Sequence, residues 1–420
     1  MILTIFIDGF TYTGLLPFDL RISYFIYLFY LFYYIPISYA NIKFKIKNVF
    51  NLLILFMFLF FSSAFNITYH NDTISLLFGQ LIGISITSIS MIVFLKINEN
   101  KLEEIFILYL KWAVFFAWIG IFQELSYLLH FKLGYDFTRF IPQSTVAPMG
   151  SVLLRVNSLL REPAHFGAVL IPAFFVSVLS LYKRKYGFIN KKQCVLIILS
   201  TILTFSGTTY IGILVSLVLI FVKKINSKIT LRGLAIAMAL CFLAYAYLPG
   251  IKLRVDDSVR VFGSFQKEEI LHSNLSTFAL ASNAFITIQS LKNNFLIGSG
   301  LGSHELSYNK YFPNITTVDV RSIGLLQINA KDASSLFLRV LSETGIVGLI
   351  IIIIFLYKSY INRRKYDFNS MVIINHSILI LFILRLLRNG HYFSDGLFFF
   401  VCLYYFSKKL FYSSLFFPKP

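Results

Sequence analysis

The sequence predicts an all-α polytopic membrane protein of about eleven (ten to twelve) transmembrane helices with a large, partly helical extracytoplasmic loop. Three observations predict it. The 420 residues are 57% hydrophobic and 14% charged, against roughly 45–50% and 25% in soluble domains. The mean hydropathy is +0.74. The apolar residues gather in runs of about 20 without a polar face, the length that crosses a hydrocarbon core ~30 Å thick.

The runs lie at 22–40, 48–65, 74–95, 104–124, 165–182, 193–206, 208–222, 233–249, 336–357, 370–387 and 395–413. Each must be helical, because lipid offers a backbone no hydrogen-bond partner. Basic residues fix the orientation. Lys43, Lys45 and Lys47 mark the first cytoplasmic connection, Lys96 and Lys101 the second, and Lys183, Arg184, Lys185, Lys191 and Lys192 the third. The stretch 193–222 has Lys192 before it and Lys223–Lys224 after it. A single span there would violate the charge rule, so two short helices are expected, reversing near Ser206-Gly207, where glycine tolerates the turn. Lys358, Arg363, Arg364, Lys365, Lys408 and Lys409 then fall inside, and the N-terminus falls outside. Residues 2–18 are either a weak extra span or an interfacial segment. With Asp8 and Asp19 and no basic start, they do not read as a cleavable signal peptide.

Three regions follow. Residues 1–249 form an N-terminal bundle with an outer loop at 126–163. Residues 250–335 form the large extracytoplasmic loop, and residues 336–420 the C-terminal membrane helices. The large loop contains an amphipathic stretch from Ser276 to Leu291, with a serine placed as N-cap. A net charge of +19 raises a nucleic-acid reading, but the charges sit mainly in the alternating short loops, so basicity here expresses topology and no nucleic-acid partner is expected. Cys194, Cys241 and Cys402 all fall inside predicted spans; no disulfide, metal site or cofactor is expected.

Some charges are not required by topology. Arg139, Arg155, Arg161, Arg254, Arg260 and Arg321 lie in the outer segments, and Arg385 and Arg388 at the outer end of a span. A planar guanidinium that stays charged suits phosphate and pyrophosphate. Any single one reads equally as a surface arginine; the group points to an anionic ligand. The densest polar cluster runs from Arg155 through Asn157, Ser158, Arg161, Glu162 and Pro163 to His165. Glu162-Pro163 is good helix-start chemistry. The same carboxylate with His165, beside two arginines, also supplies a base near a bound phosphate. Ile297-Gly298-Ser299-Gly300-Leu301-Gly302 reads as a tight turn needing positive φ rather than a dinucleotide site, since no strand–helix context surrounds it. His304 and Glu305 follow it. Arg339 and Glu343, at i and i+4 within a span, are a structural ion pair or a substrate contact.

Several of these segments resemble the O-antigen polymerase and O-antigen ligase superfamily of bacterial envelope glycan enzymes. The likeness is carried by Arg155 to Phe166, Leu203-Thr204-Phe205-Ser206-Gly207, Asn293 to Gly302, Ser334-Ser335-Leu336 through Glu343-Thr344-Gly345-Ile346-Val347-Gly348, and Leu386 to Tyr392. The ligases typically begin the fourth block with histidine and asparagine; Ser334 and Ser335 stand there, which favours a polymerase. The resemblance implies a GT-C-like, metal-independent glycosyltransferase of the bacterial inner membrane, with its active face extracytoplasmic. It would move a glycan from polyprenyl pyrophosphate to the non-reducing end of a lipid-linked repeat unit. Glu162 and His165 would be the catalytic candidates. Arg155, Arg161, Arg254, Arg260, Arg385 and Arg388 would bind the pyrophosphate, and His304, Glu305, Arg339, Glu343, His391 and Tyr392 are candidates for glycan contact. The implied partners are the polyprenyl-pyrophosphate-linked oligosaccharide and membrane lipids, with a chain-length regulator and a flippase as further candidates. A ligase acting on lipid A-core, and a lipid-linked oligosaccharide flippase, are the alternative readings.

Overall fold

The computed structural model describes residues 1–7, 10–12, 20–38, 57, 59, 63–64, 73–141, 143–149, 152–183, 187–221, 245–246, 249–315, 328–362 and 369–416. Most of the predicted spans 48–65 and 233–249 lie outside these residues, as do Cys241 and Arg321.

Helices occupy the remaining predicted runs. They are α1 (Ile22–Ser38), α2 (Thr73–Ile97), α3 (Leu102–Leu128), α5 (Pro163–Lys183), α6 (Lys191–Leu203), α7 (Gly207–Phe221), α12 (Leu336–Ser359), α13 (Ser370–Leu387) and α14 (Leu397–Phe416). Between α3 and α5 lies a one-turn α4 (Lys132–Tyr135). By length and composition, five helices among the described residues can cross a membrane: Leu76–Ile97, Glu99–Leu128, Pro163–Lys183, Leu336–Ser359 and Ser370–Leu387. Ile22–Tyr34 and Gly207–Phe221 are apolar but shorter.

α5 is the centre of the bundle, packed by α6, α7 and α13, while α13 also meets α14 and α12. Its residues from Phe166 to Val176 are all buried, which is why this run has no polar face: it is apolar for protein neighbours as much as for lipid. The reversal after α6 differs from expectation in one detail. Phe205, not Gly207, takes the left-handed conformation (φ 43), and the freed Leu203 carbonyl accepts from Val156 N. Residues 2–7 make a short 3-10 turn, Ile2–Ile5, rather than a spanning helix. Phe6 stacks on Phe116 at 4.6 Å inside the core. Thr11–Tyr12 and Leu20–Arg21 pair as β1 and β2, and Pro148–Met149 and Leu153–Leu154 as β3 and β4.

The described part of 250–335 folds into α8 (Pro249–Ser264), α9 (Lys267–Leu271), α10 (Leu275–Asn293) and α11 (His304–Tyr311). They share a small core of their own that includes Val261, Ile270, Phe278, Ile286, Tyr308 and Phe312. The cap of α10 is Asn274 rather than the expected serine; its side chain accepts from Ser276 N and Thr277 N. Asparagine is as good an N-cap as serine, which leaves the Ser276 hydroxyl for another partner.

The glycine-rich segment has a specific task. α12 is broken at Gly345 (φ 64, ψ −164). The break opens two helical bonds, those that Ile346 and Val347 would donate to the Ser342 and Glu343 carbonyls. Segment 295–300 enters the gap and replaces two bonds with four. Ile346 N donates to Phe295 O (3.1 Å), Val347 N to Leu296 O (3.2 Å), Ser299 N to Ser342 O (2.8 Å) and Gly300 N to Glu343 O (2.9 Å). Gly298 and Gly345 both have positive φ, and a Cβ on either would fall within 2.6 Å of the opposing backbone. The expectation of positive φ holds at Gly298, Gly300 and Gly302.

Candidate functional site

The start of α5, the end of α13 and the 329–334 segment meet around a cleft of about 90 Å³. Glu162, His165, Arg385 and Arg388, singled out in the sequence, line it together with Asp332, Ser334, Asn389 and Thr208. Pro163 begins α5, and the Glu162 carbonyl accepts from His165 N and Phe166 N. Glu162 therefore serves the helix start through its main chain while its carboxylate faces the cleft. Arg385 and Arg388 sit at the C-terminal end of α13, where the helix dipole favours cations.

His165 is held by a residue that the sequence reading missed. Its Nδ1 lies 2.9 Å from Asp395 Oδ2 and 3.1 Å from Oδ1. Arg385 Nη2 donates to the same carboxylate at 2.8 Å and Asn389 Nδ2 at 3.0 Å. Burial alone would push the Asp395 carboxyl up; His165 and Arg385 beside it outweigh that and hold it at about 2. An ionised carboxylate can only accept, so the Nδ1 proton belongs to His165, and in the neutral ring Nε2 is left as an acceptor. Asp395 was read as the first residue of a span; α14 starts at Leu397, leaving Asp395 in the preceding turn. Asp332, also missed, is buried in the cleft wall. Burial raises its carboxyl, while Ser334 N, which donates to it at 3.0 Å, draws it back.

Arginine donors in and near this cleft lack acceptors among the described residues. Arg388 Nη2 donates to Ser276 Oγ at 2.7 Å, but its buried Nη1 has no partner among the described residues, nor does Arg155 Nε. Burial, followed by repulsion from Arg254, lowers the Arg155 guanidinium. Burial likewise lowers the Arg388 guanidinium and Arg254 adds to that, while the Asp332 and Glu162 carboxylates draw it back up. Arg254 thus repels both Arg155 and Arg388, a field that Glu162 and Asp332 offset in part and that an anion would relieve further. The backbone here is also strained. Asn329, Ala333, Ser334, Asn389 and Asp395 all have φ between 53° and 68°, and such non-glycine residues gather at functional sites.

The other candidates do not line this cleft, although Arg161 lies near enough to act on the charges of His165 and Asp395. Arg161 Nη2 donates to Thr11 Oγ1 at 2.7 Å, and exposed Arg260 pairs with Asp257 at 2.8 Å. Asn157 is structural, donating to the Leu160 and Thr145 carbonyls and accepting from Gln123. Arg339 Nε donates to Glu343 Oε1 at 3.0 Å, Tyr392 OH donates to Glu343 Oε2 at 2.8 Å, and the Arg339 guanidinium lies 4.1 Å from the Tyr392 ring centre. His304 is buried against Asn283, 2.9 Å away, and burial depresses it to about 3. Ser334 and Ser335 are tied into the fold: Ser334 Oγ donates to Ala279 O, and Ser335 Oγ caps α12 and donates to Leu386 O. Glu305, Arg339 and His391 line a second cleft. No protein-family model, curated protein or solved structure matches the chain.

Proposed function

We propose that the chain is a surface-polysaccharide polymerase of the O-antigen type, an enzyme of about eleven spans with residues 250–335 as an extracytoplasmic cap. It transfers glycan from polyprenyl pyrophosphate to the non-reducing end of a lipid-linked repeat unit at the outer face of the bacterial inner membrane. One observation carries the reading. His165, oriented by Asp395, shares a cleft with Arg388, whose buried Nη1 has no partner among the described residues; Arg254, outside the lining, is near enough to repel both Arg388 and Arg155.

The chemistry follows from those positions. The acceptor hydroxyl oxygen attacks the anomeric carbon of the donor glycan as its proton passes to His165 Nε2. The bond from that carbon to the pyrophosphate oxygen breaks, and polyprenyl pyrophosphate leaves with the electron pair. Arg388, Arg155 and Arg254 offset the charge that develops on it, which preorganised donors do best where water is excluded. Glu162 is the alternative base on the same wall.

The test is a deletion strain with its surface polysaccharide resolved on a gel. A single repeat unit on the core, with polymer restored by the wild-type gene and not by Arg388→Ala at equal protein level, is the expected result. A bare core with lipid-linked polymer accumulating would replace this reading with a ligase. Unpolymerised units trapped on the cytoplasmic side would replace it with a flippase.

A further inference from the structure

The 329–334 segment, just before α12, brings Asn329, Asp332 and Ser334 to the first cleft. Asn329, Ala333 and Ser334 are left-handed there (φ 56, 56 and 59), a conformation that persists only where the surroundings hold it. What holds it is a buried network reaching back into the cap. Asn283, in α10, donates through Nδ2 to Ala279 O (2.7 Å), Ile328 O (3.2 Å) and Ser334 Oγ (3.2 Å). Ser334 Oγ also accepts from Asn329 Nδ2 at 3.1 Å and donates to Ala279 O. The donor and both acceptor sites of that hydroxyl are thereby used.

The two carbonyls can only accept, so they fix which end of the Asn283 amide faces the segment. Oδ1 is left for His304 Nε2, 2.9 Å away, and that nitrogen carries the proton. His304 and Asn283 are both fully buried, and neither lines the cleft. Their bond orients the amide, and the amide orients the segment.

What the segment presents is Asp332. Ser334 N donates to its Oδ1 at 3.0 Å, the hydrogen bond that the described residues give this carboxylate. Oδ2 remains an acceptor in the cleft that Arg388 also lines, close enough to Arg388 to draw its guanidinium up. A carboxylate beside a diphosphate-binding arginine repels the phosphates themselves. It suits the group attached to them, a sugar whose hydroxyls are donors. The hydroxyl next to the reacting carbon is the donor nearest the departing oxygen, and in sugar transfer hydrogen bonds to it strengthen towards the transition state.

We propose that Asp332 Oδ2 accepts a hydrogen bond from the donor sugar, at the hydroxyl or acylamino group beside its anomeric carbon, and that His304 and Asn283 are the positioning pair that keeps it there. The inference rests on the polymerase reading above, and adds to it the group that recognises the sugar rather than its carrier.

Full-length protein in nanodiscs is titrated with undecaprenyl diphosphate and, separately, with lipid-linked units extracted from the deletion strain. The wild type should bind the sugar-bearing lipid more tightly. Asp332→Ala should weaken the lipid-linked units about tenfold, the size of a lost hydrogen bond to a charged group, with undecaprenyl diphosphate bound as before. Arg388→Ala, by contrast, should weaken both. His304→Met, which removes the donor at similar volume, should reproduce the selective loss, and His304→Gln, which keeps an N–H, should restore it. Where His304→Met does not fold, the two Asp332→Ala titrations decide alone. Equal binding of the two lipids by the wild type, or an Asp332→Ala protein that binds both as before or weakens both alike, would overturn the proposal. A wild type that binds neither lipid would remove the proposed function, and this inference with it.

Discussion

Two buried arginine–carboxylate pairs lie near one end of the bundle, Arg339–Glu343 and Arg385–Asp395, at 3.0 and 2.8 Å. In the first, the third partner of the acid is the Tyr392 hydroxyl, and all three side chains are buried. In the second, the third partner is His165, whose side chain is 13% exposed and borders the first cleft. The chemistry of the pairs is the same. What separates them is the third group: a phenol that closes the network, or an imidazole that carries it to the edge of the first cleft.

The largest expected effect comes from breaking the closed network. Glu343→Ala leaves Arg339 buried without its carboxylate and should cost about 3–5 kcal/mol, seen as lost folded protein on size exclusion in detergent; a wild-type yield and melting temperature would mean that Glu343 is no structural acid. His165→Ala should do the reverse, lowering turnover about 10³-fold, within the range for a general base, at an unchanged melting temperature. Asp395→Asn keeps the shape and removes the charge that fixes the Nδ1 proton. Turnover should fall about 10²-fold, a loss that a packing role alone would not produce. Asp395 also sets an acid limit. Its folded value, about 2, lies below the ordinary 3.8. Its stabilisation is therefore full above that ordinary value and lost as pH falls through about 2. Acid unfolding should show this limb in the wild type and lack it in Asp395→Asn. The smallest effect is Ser335→Ala, which removes the α12 cap and the bond to Leu386 O, about 1 kcal/mol, measured as a lower melting temperature with turnover nearly unchanged.

The helices were legible because apolar runs report span length directly, and their boundaries moved by only a few residues. Glu162, His165, Arg385 and Arg388 were legible as polar groups at the ends of such runs. Their partners were not. His165 and Asp395 are 230 residues apart, a pairing that leaves no period or spacing in the chain, and Asp395 was absorbed into a span whose helix starts two residues later. Arg161 and Arg260 show what charge type alone does not tell: it marks both alike, and only the structure gives Arg161 a bond to Thr11 and Arg260 a pair with Asp257.

The graft of segment 295–300 into the broken α12 bears on where this molecule can be cut. Residues 250–335 divide from the flanking helices along the chain, yet they supply the acceptors and donors that complete one of those helices. Excising them would force α12 to straighten at Gly345 and restore the bonds from Ile346 and Val347 to the Ser342 and Glu343 carbonyls, or leave those groups unpaired in apolar surroundings at several kcal/mol each. Residues 295–300 thus belong to the hydrogen bonding of α12, and trimmed versions of the chain that lack them should show a lower melting temperature.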